Sequence, residues 1–219
     1  MDNLYQHIAL VGAGGKMGMR ISANLEGSSS HIYYCENAPA AQETMRELGR
    51  EVSDIEQVIE RCDLVILAVP DIVLGRVSAQ LVPRMKVGAT VLTLDPAAAY
   101  ANLLHQRDEI HYAVAHPCHP SVFLERRSDE EWADAFGGSA ATQSVAAAFE
   151  QGSEAERASL ETVIRRMYGP VDKVHWMTVG EGHLAEYTDP PNCERLPKGS
   201  DIGQMMLDGE LVATLQGVD

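Results

Sequence analysis

Positive charge is what this chain has least of: 17 Lys and Arg stand against 32 Asp and Glu in 219 residues, a formal net charge of -15. No Lys/Arg cluster offers the counterion release on which binding to a nucleic-acid backbone depends, so no nucleic-acid partner is expected. The acids are spread along prospective helix faces, which serves solubility rather than a dedicated basic partner. Cysteine is scarce too. Cys35, Cys62, Cys118 and Cys193 form no CxxC pair and no disulfide-framework spacing, and Cys35 and Cys62 read as small core residues. Long apolar runs are also missing. The chain opens on the acidic Met1-Asp2-Asn3 and its first apolar run is only Ile8 to Val11, so neither a signal peptide nor a membrane span is expected, and the expected location is cytoplasmic. What remains, 45% hydrophobic residues, suffices for a packed core in one large or two small domains.

Glycine is concentrated where it matters. In Ile8-Ala-Leu-Val-Gly-Ala-Gly-Gly-Lys-Met-Gly18 an apolar strand runs into a glycine-dense turn that opens an amphipathic helix. Such a turn can cradle a phosphate: it has no Cβ in the way, its amides can approach a pyrophosphate, and the helix N-terminus behind it carries partial positive charge. Gly12, Gly15 and Gly18 follow GxxGxxG, whereas the commoner GxGxxG would need glycine at 12, 14 and 17, and Met17 departs from it. Met17, Ile21 and Leu25 make the helix's inward stripe, and His31-Ile-Tyr-Tyr-Cys35 is a second strand that delivers Glu36, 18 residues after Gly18. A carboxylate there accepts the two ribose hydroxyls of an adenosine and repels the extra phosphate of NADP, which favours NAD. The plain alternative is a glycine loop that merely turns the chain, with Glu36 on a solvated edge.

Strands and helices keep alternating. Pro39 opens a helix with Ala41, Met45 and Leu48 inward, ended by Gly49, and Ser53 with Glu56 reads as a capping box for the next. Asp63 to Val69 is a nearly unbroken apolar run, as a central parallel strand requires, and Pro70 stops it. A helix near 71–83, a strand Ala89–Leu94, a helix from Asp95-Pro96 through about Gln106 and a strand Ile110–Ala115 follow. Residues 125–139 read as a charged loop, Ser144–Phe149 as a strand, Glu154–Tyr168 as a helix and Val171–Val179 as a final strand. The pattern predicts an α/β fold of Rossmann type, a doubly wound parallel sheet over residues 1–180, with ligands beyond the carboxyl ends of the strands. Residues 181–219, rich in proline and polar residues, form a short, poorly defined C-terminal segment whose one apolar pattern lies around Ile202–Leu215.

His116-Pro-Cys-His-Pro120 falls at one of those carboxyl ends. Hydride transfer from an alcohol needs a base for the hydroxyl proton, and histidine titrates nearest neutral pH. His116 or His119 would serve, with the prolines fixing the backbone. One imidazole packing against the strand end and the other in solvent is the plain alternative. Zinc ligation by His116, Cys118 and His119, with Glu186 as a further ligand, is a third, but contiguous ligands suit a tetrahedral site poorly, and no metal residues are assigned.

Four motifs, Val11-Gly-Ala-Gly-Gly-Lys-Met-Gly18, Asp63-Leu-Val-Ile-Leu-Ala-Val-Pro70, Leu94-Asp-Pro-Ala-Ala-Ala-Tyr100 and His116-Pro-Cys-His-Pro120, together resemble the phosphogluconate-dehydrogenase-like NAD-binding oxidoreductases. The resemblance runs over roughly residues 5–180. It implies an NAD-dependent oxidoreductase acting on a small hydroxy or keto acid, of sugar-acid or β-hydroxyacid type, in a homodimer. Gly12, Ala13, Gly14, Gly15, Lys16 and Met17 would hold the pyrophosphate, Glu36 the adenine ribose, and Val69, Pro70 and Asp71 would line the cofactor. If the likeness to the oxidoisomerases of this group extends to chemistry, a carbon-skeleton or ketol rearrangement follows oxidation, which a divalent ion would assist. The chain departs from the wider superfamily in lacking its long C-terminal helices and the lysine of the 6-phosphogluconate and β-hydroxyacid dehydrogenases, so the base role falls to histidine. An NAD(P)-binding remnant without turnover and an NADPH-dependent imine or keto-acid reductase are the competing readings.

Overall fold

The computed structural model describes residues 4–118, 128–134, 137–181, 203–207 and 210–215. Their frame is a sheet of seven strands, β1 (His7–Val11), β2 (His31–Cys35), β3 (Leu64–Leu67), β4 (Thr90–Thr93), β5 (His111–Pro117), β6 (Gln143–Glu150) and β7 (Val171–Trp176), in the spatial order β2-β1-β3-β4-β5-β6-β7. Side chains alternate across it. Ile8 and Leu10 of β1, Leu64 and Ile66 of β3 and Ala113 and Ala115 of β5 join one core, with α1 (Lys16–Leu25) and α7 (Glu154–Met167) on that face. Ala9, Val65, Leu67 and Val91 join the other, with α3 (Ile55–Val58), α4 (Asp71–Leu81) and α5 (Ala97–Tyr100). Both faces of β3 and β4 are fully buried, which is why β3 is apolar without a break, while β4 buries Thr90 and Thr93 at its ends. Cys35 and Cys62 lie in the second core as small residues.

Strands β1 to β5 are parallel and in register. The sheet is mostly parallel and Rossmann-like, as expected; the exception is β6, antiparallel to β5, with β7 again parallel to its neighbour. The chain thus re-enters the sheet from the end at which it left, and among the described residues the connection holds α6 (Asp129–Ala133).

Several local expectations are corrected. Residues 125–139 are more than a loop: Ser128 caps α6, and the nearly buried Asp134 side chain takes the Ser139, Ala140 and Ala141 amides at 2.9, 2.9 and 3.1 Å together with Arg20 of α1 at 2.9 Å. The helix expected from Asp95 through Gln106 is the single turn α5, because Asn102 takes a left-handed φ of 54° and the Leu103 amide turns back to the Ala98 carbonyl. No capping box forms at Ser53. Asp54 caps α3 by accepting the Glu56 amide, and the box is found instead at Ser153 and Glu156, opening α7. α2 (Pro39–Glu47) begins at its proline as expected. Within 181–219 the described backbone forms an antiparallel hairpin, β8 (Gly203–Leu207) and β9 (Glu210–Leu215).

Candidate active site

Because β1 to β5 are parallel, their carboxyl ends share one edge, and the glycine turn lies on it. Gly12 has a φ of +80°, and a Cβ there would stand 2.5 Å from the Ala68 carbonyl oxygen at the end of β3, so the turn tolerates glycine alone. Gly12 and Ala13 both donate to the Cys35 carbonyl at 2.9 and 3.2 Å, which pins the turn to the end of β2. At Gly18 a Cβ would lie 2.0 Å from the Gly12 carbonyl, so α1 packs onto the turn only because this face of the helix has no side chain. The close-packing duty of the third glycine thus falls on Gly18, as the GxxGxxG spacing requires. Gly15 is the N-cap of α1 in extended conformation, and no side chain caps the helix. Lys16 is its exposed first residue, and Met17 packs against the core. The result is a helix N-terminus open to an anion.

Glu36 closes the other side. Its Oε2 accepts the Gly14 amide at 3.0 Å, and its Oε1 accepts the Asn37 and Ala38 amides at 2.8 and 2.9 Å. The carboxylate therefore stands between the glycine turn and the start of α2. Val69 abuts Gly12, Pro70 is the N-cap of α4 and Asp71 is the first residue of that helix.

His116 lies on β5 itself, which runs on to Pro117, rather than beyond the strand's end. Its Nδ1 is 3.1 Å from the Leu94 carbonyl oxygen at the end of β4. A carbonyl can only accept, so Nδ1 carries the hydrogen and, in the neutral ring, Nε2 carries the lone pair. Beside the ring is a small cavity lined by Pro96, Val114, Ala146, Ala148, Met177 and Val179. Its floor is formed by alanines of β6 that pair with β5, and its roof by the chain leaving β7. Asp95 bonds the Ala97 amide through Oδ1 at 2.7 Å and so opens α5. The carboxyl of Asp71 is held above its ordinary value by partial desolvation, then by the charge of Asp95, with His116 opposing both. Beneath β5, the fully buried hydroxyl of Tyr168, the C-cap of α7, donates to the Ala115 carbonyl at 2.5 Å, and burial drives its pKa far up.

The structure thus brings Gly12, Ala13, Gly14, Gly15, Glu36 and Val69 together at the ends of β1, β2 and β3, and Asp71 and His116 beside them at β3 to β5. His119 lies outside the described residues, as do Cys193 and Glu186. Among the described residues, no group of three or more His, Cys, Asp or Glu side chains is arranged to hold a metal ion.

The phosphogluconate dehydrogenase (decarboxylating) C-terminal family matches residues 124–194. A D-apionate oxidoisomerase from Pectobacterium atrosepticum is 62% identical over 172 residues, 78% of this chain and 60% of that protein. One from Cupriavidus necator is 40% identical over 182 residues, 83% of this chain and 66% of that protein. In a crystal structure of a protein from Jannaschia sp. CCS1, designated an oxidoreductase, 33% of residues are identical, with a TM-score of 0.80 and coverage of 87% of this chain and 71% of that one. The chain belongs to the phosphogluconate-dehydrogenase-like NAD-binding oxidoreductases. A further member from Cupriavidus necator, described as a semialdehyde dehydrogenase NAD-binding protein and solved with calcium and NAD, is 38% identical with a TM-score of 0.78, and covers 84% of this chain and 66% of that one. The chain spans under two thirds of the length of the oxidoisomerases it matches.

At Asp95 the sequence marks a helix start at a strand end and one of the four motifs of the family resemblance; the structure adds its bond to the Ala97 amide. The bond of Tyr168 to Ala115, which ties the end of α7 to β5 beneath the site, gave no signal, since it spans 53 residues of chain.

Proposed function

We propose that this chain is the NAD-binding part of an oxidoreductase that oxidises a small polar hydroxy acid, of sugar-acid or β-hydroxyacid type, with a coupled isomerisation. The substrate class and the isomerisation are supported by the names of its oxidoisomerase relatives, and NAD by the ligand of the related Cupriavidus necator structure. The observation that carries the reading is the pairing, on one sheet edge, of an uncapped α1 N-terminus behind a turn that only Gly12 can make with a carboxylate, Glu36, at the next strand end. Residues 1–180 would be the nucleotide-binding unit and 181–219 a short, atypical C-terminal segment.

In this reading Gly12, Ala13, Gly14, Gly15, Lys16 and Met17 hold the pyrophosphate through backbone amides and the helix dipole. Glu36 exchanges its bond to the Gly14 amide for the ribose hydroxyls, and its charge disfavours a ribose phosphate. Val69, Pro70 and Asp71 lie along the cofactor's path toward β5. Bound NAD supplies a hydride acceptor. His116 receives the substrate's hydroxyl proton at Nε2, the ring held in the required tautomer by the Leu94 carbonyl. His119 is a second candidate for that proton. The alanine floor and apolar lining beside His116 keep water from the ring.

Calorimetry with NAD and NADP tests the cofactor, and absorbance of NADH with a panel of sugar acids and β-hydroxy acids tests turnover. The expected result is NAD binding preferred over NADP, with turnover lost in His116→Ala. No affinity for either coenzyme would overturn the proposal. NAD binding with no turnover on any acid would instead favour a nucleotide-binding unit without activity of its own.

A further inference from the structure

Helix α1 has a second working face besides the one in the core. Ile21 and Leu25 are buried, while Lys16, Arg20 and Asn24, four residues apart, line up as a separate stripe. That stripe begins at the end of the helix where a pyrophosphate would sit. Lys16 is exposed, but Arg20 and Asn24 are half-buried, because the chain returning to the sheet lies against them. Arg20 donates through Nη2 to Asp134 Oδ1 at 2.9 Å and to the Gly137 carbonyl. Asn24 donates through Nδ2 to the carbonyls of Gly138 and Met167 at 3.1 and 3.0 Å.

From these bonds, contacts lead to His116 by two routes. On the first, Asp134 Oδ2 takes the amides of Ser139, Ala140 and Ala141, which fixes the turn that enters β6. Just inside that strand, the Ser144 carbonyl takes the Cys118 amide at 2.9 Å, and Ala146 pairs with His116 itself. On the second, Met167 is followed by Tyr168, whose carbonyl takes Gln143 Nε2 at 2.9 Å and whose hydroxyl holds the Ala115 carbonyl. The strand that floors the cavity beside His116 is thus hung from the helix that opens at the glycine turn. Arg20 is the charged joint in this chain of contacts. Its planar guanidinium presents donors in fixed directions to a carboxylate and a carbonyl together, which the ammonium of a lysine, on a flexible stem, does not.

We infer that Arg20 is a positioning residue that couples the coenzyme helix to the β5–β6 pair: coenzyme at the head of α1 fixes the helix, and the helix, through Arg20, holds the turn from Asp134 to Ala141 and with it the start of β6. The inference rests on the proposed binding of NAD at α1 and deepens it. Arg20 acts through Asp134 and not on the coenzyme or the substrate. Binding that removes freedom from α1 removes it also from what α1 holds, so the coenzyme is felt at amides that do not touch it.

The test is amide hydrogen exchange of the full chain with and without saturating NAD, binding being measured first by calorimetry. In wild type, NAD should slow the amides of Ser139, Ala140 and Ala141 about fivefold, together with those of the glycine turn, while the β7 amides change by less than about twofold. Arg20→Ala should bind NAD within about threefold of wild type and still protect the glycine turn, but lose the NAD-dependent slowing at residues 139–141. Arg20→Lys, which keeps the charge beside Asp134, is the second variant and should retain about a twofold slowing there. A merely structural Arg20 would speed exchange equally with and without NAD and leave the ratio intact. A wild-type ratio kept in either variant would therefore overturn the inference. So would wild-type chain that binds NAD without slowing residues 139–141, or that slows β7 by as much, which is global stabilisation. Each of these results leaves the NAD-binding reading standing, whereas a wild-type chain with no affinity for NAD in the calorimeter sinks that reading and the coupling with it.

Discussion

The Glu36 carboxylate lies 3.0 Å from the Gly14 backbone nitrogen, so the end of β2 is tied to the turn between β1 and α1. The same group holds the first amides before α2. Glu36→Ala should therefore do two things at once. Stability should drop by about 1 kcal/mol, as for a lost helix cap. Discrimination against NADPH should narrow by about tenfold, the size expected from one charge-assisted hydrogen bond. Thermal unfolding and calorimetry with both coenzymes check the pair, and an unchanged coenzyme preference would remove the ribose role.

The contact between Gly18 and Gly12 is a second target. Gly18→Ala drives a methyl into the Gly12 carbonyl and should cost about 1–3 kcal/mol, with weaker NAD binding because the turn itself must shift. Gly27→Ala is the control. That residue has a φ of +69° with open space around it, so only backbone strain of about 1 kcal/mol is expected and NAD binding should not change. Denaturant unfolding of both variants measures the difference.

For His116 the expectation is chemical. His116→Gln should lower kcat by about 10²- to 10⁴-fold, the usual contribution of a positioned base, with the NAD Kd within about twofold of wild type. Comparable losses in kcat and cofactor affinity would show a structural role instead.

Asp134 sets a pH dependence of stability. Burial works against its charge, but the amides of Ala140, Ser139 and Ala141 and the Arg20 guanidinium outweigh it, and the carboxyl titrates below its ordinary value. A group depressed in the folded state stabilises fully above its unfolded pKa, about 3.9, and that contribution disappears as pH falls through the folded value. Asp134→Asn should cost about 2 kcal/mol at pH 7. The gap between variant and wild type should close below about pH 4. Urea unfolding at a series of pH values checks both the size and the direction.

Much of this architecture can be read from residues whose meaning is local. The strand, glycine turn and helix of residues 8–25 and the apolar run of β3 each announce themselves by periodicity or by glycine placement. The orientation of β6 does not, because Val145-Ala-Ala-Ala-Phe149 reads the same whichever way the strand runs. The length of α5 depended on one left-handed residue, Asn102, which no periodicity marks. Ser53 and Asp54 are adjacent capping candidates, and tertiary packing chose the second. In the site, Gly12, Glu36 and His116 were visible as residue types at strand ends, whereas the bond of His116 to the Leu94 carbonyl and the reach of Tyr168 to Ala115 depend on which strands become neighbours.

The burial of Cys35 and Cys62 has a practical consequence for watching this site at work. Both thiols are pushed up to about 12, first by desolvation, so at neutral pH they carry almost no thiolate and resist alkylating dyes. Cys118 is part exposed and stands two positions from His116. With Cys193 replaced by serine, a fluorophore attached there would report coenzyme arrival by its change in emission.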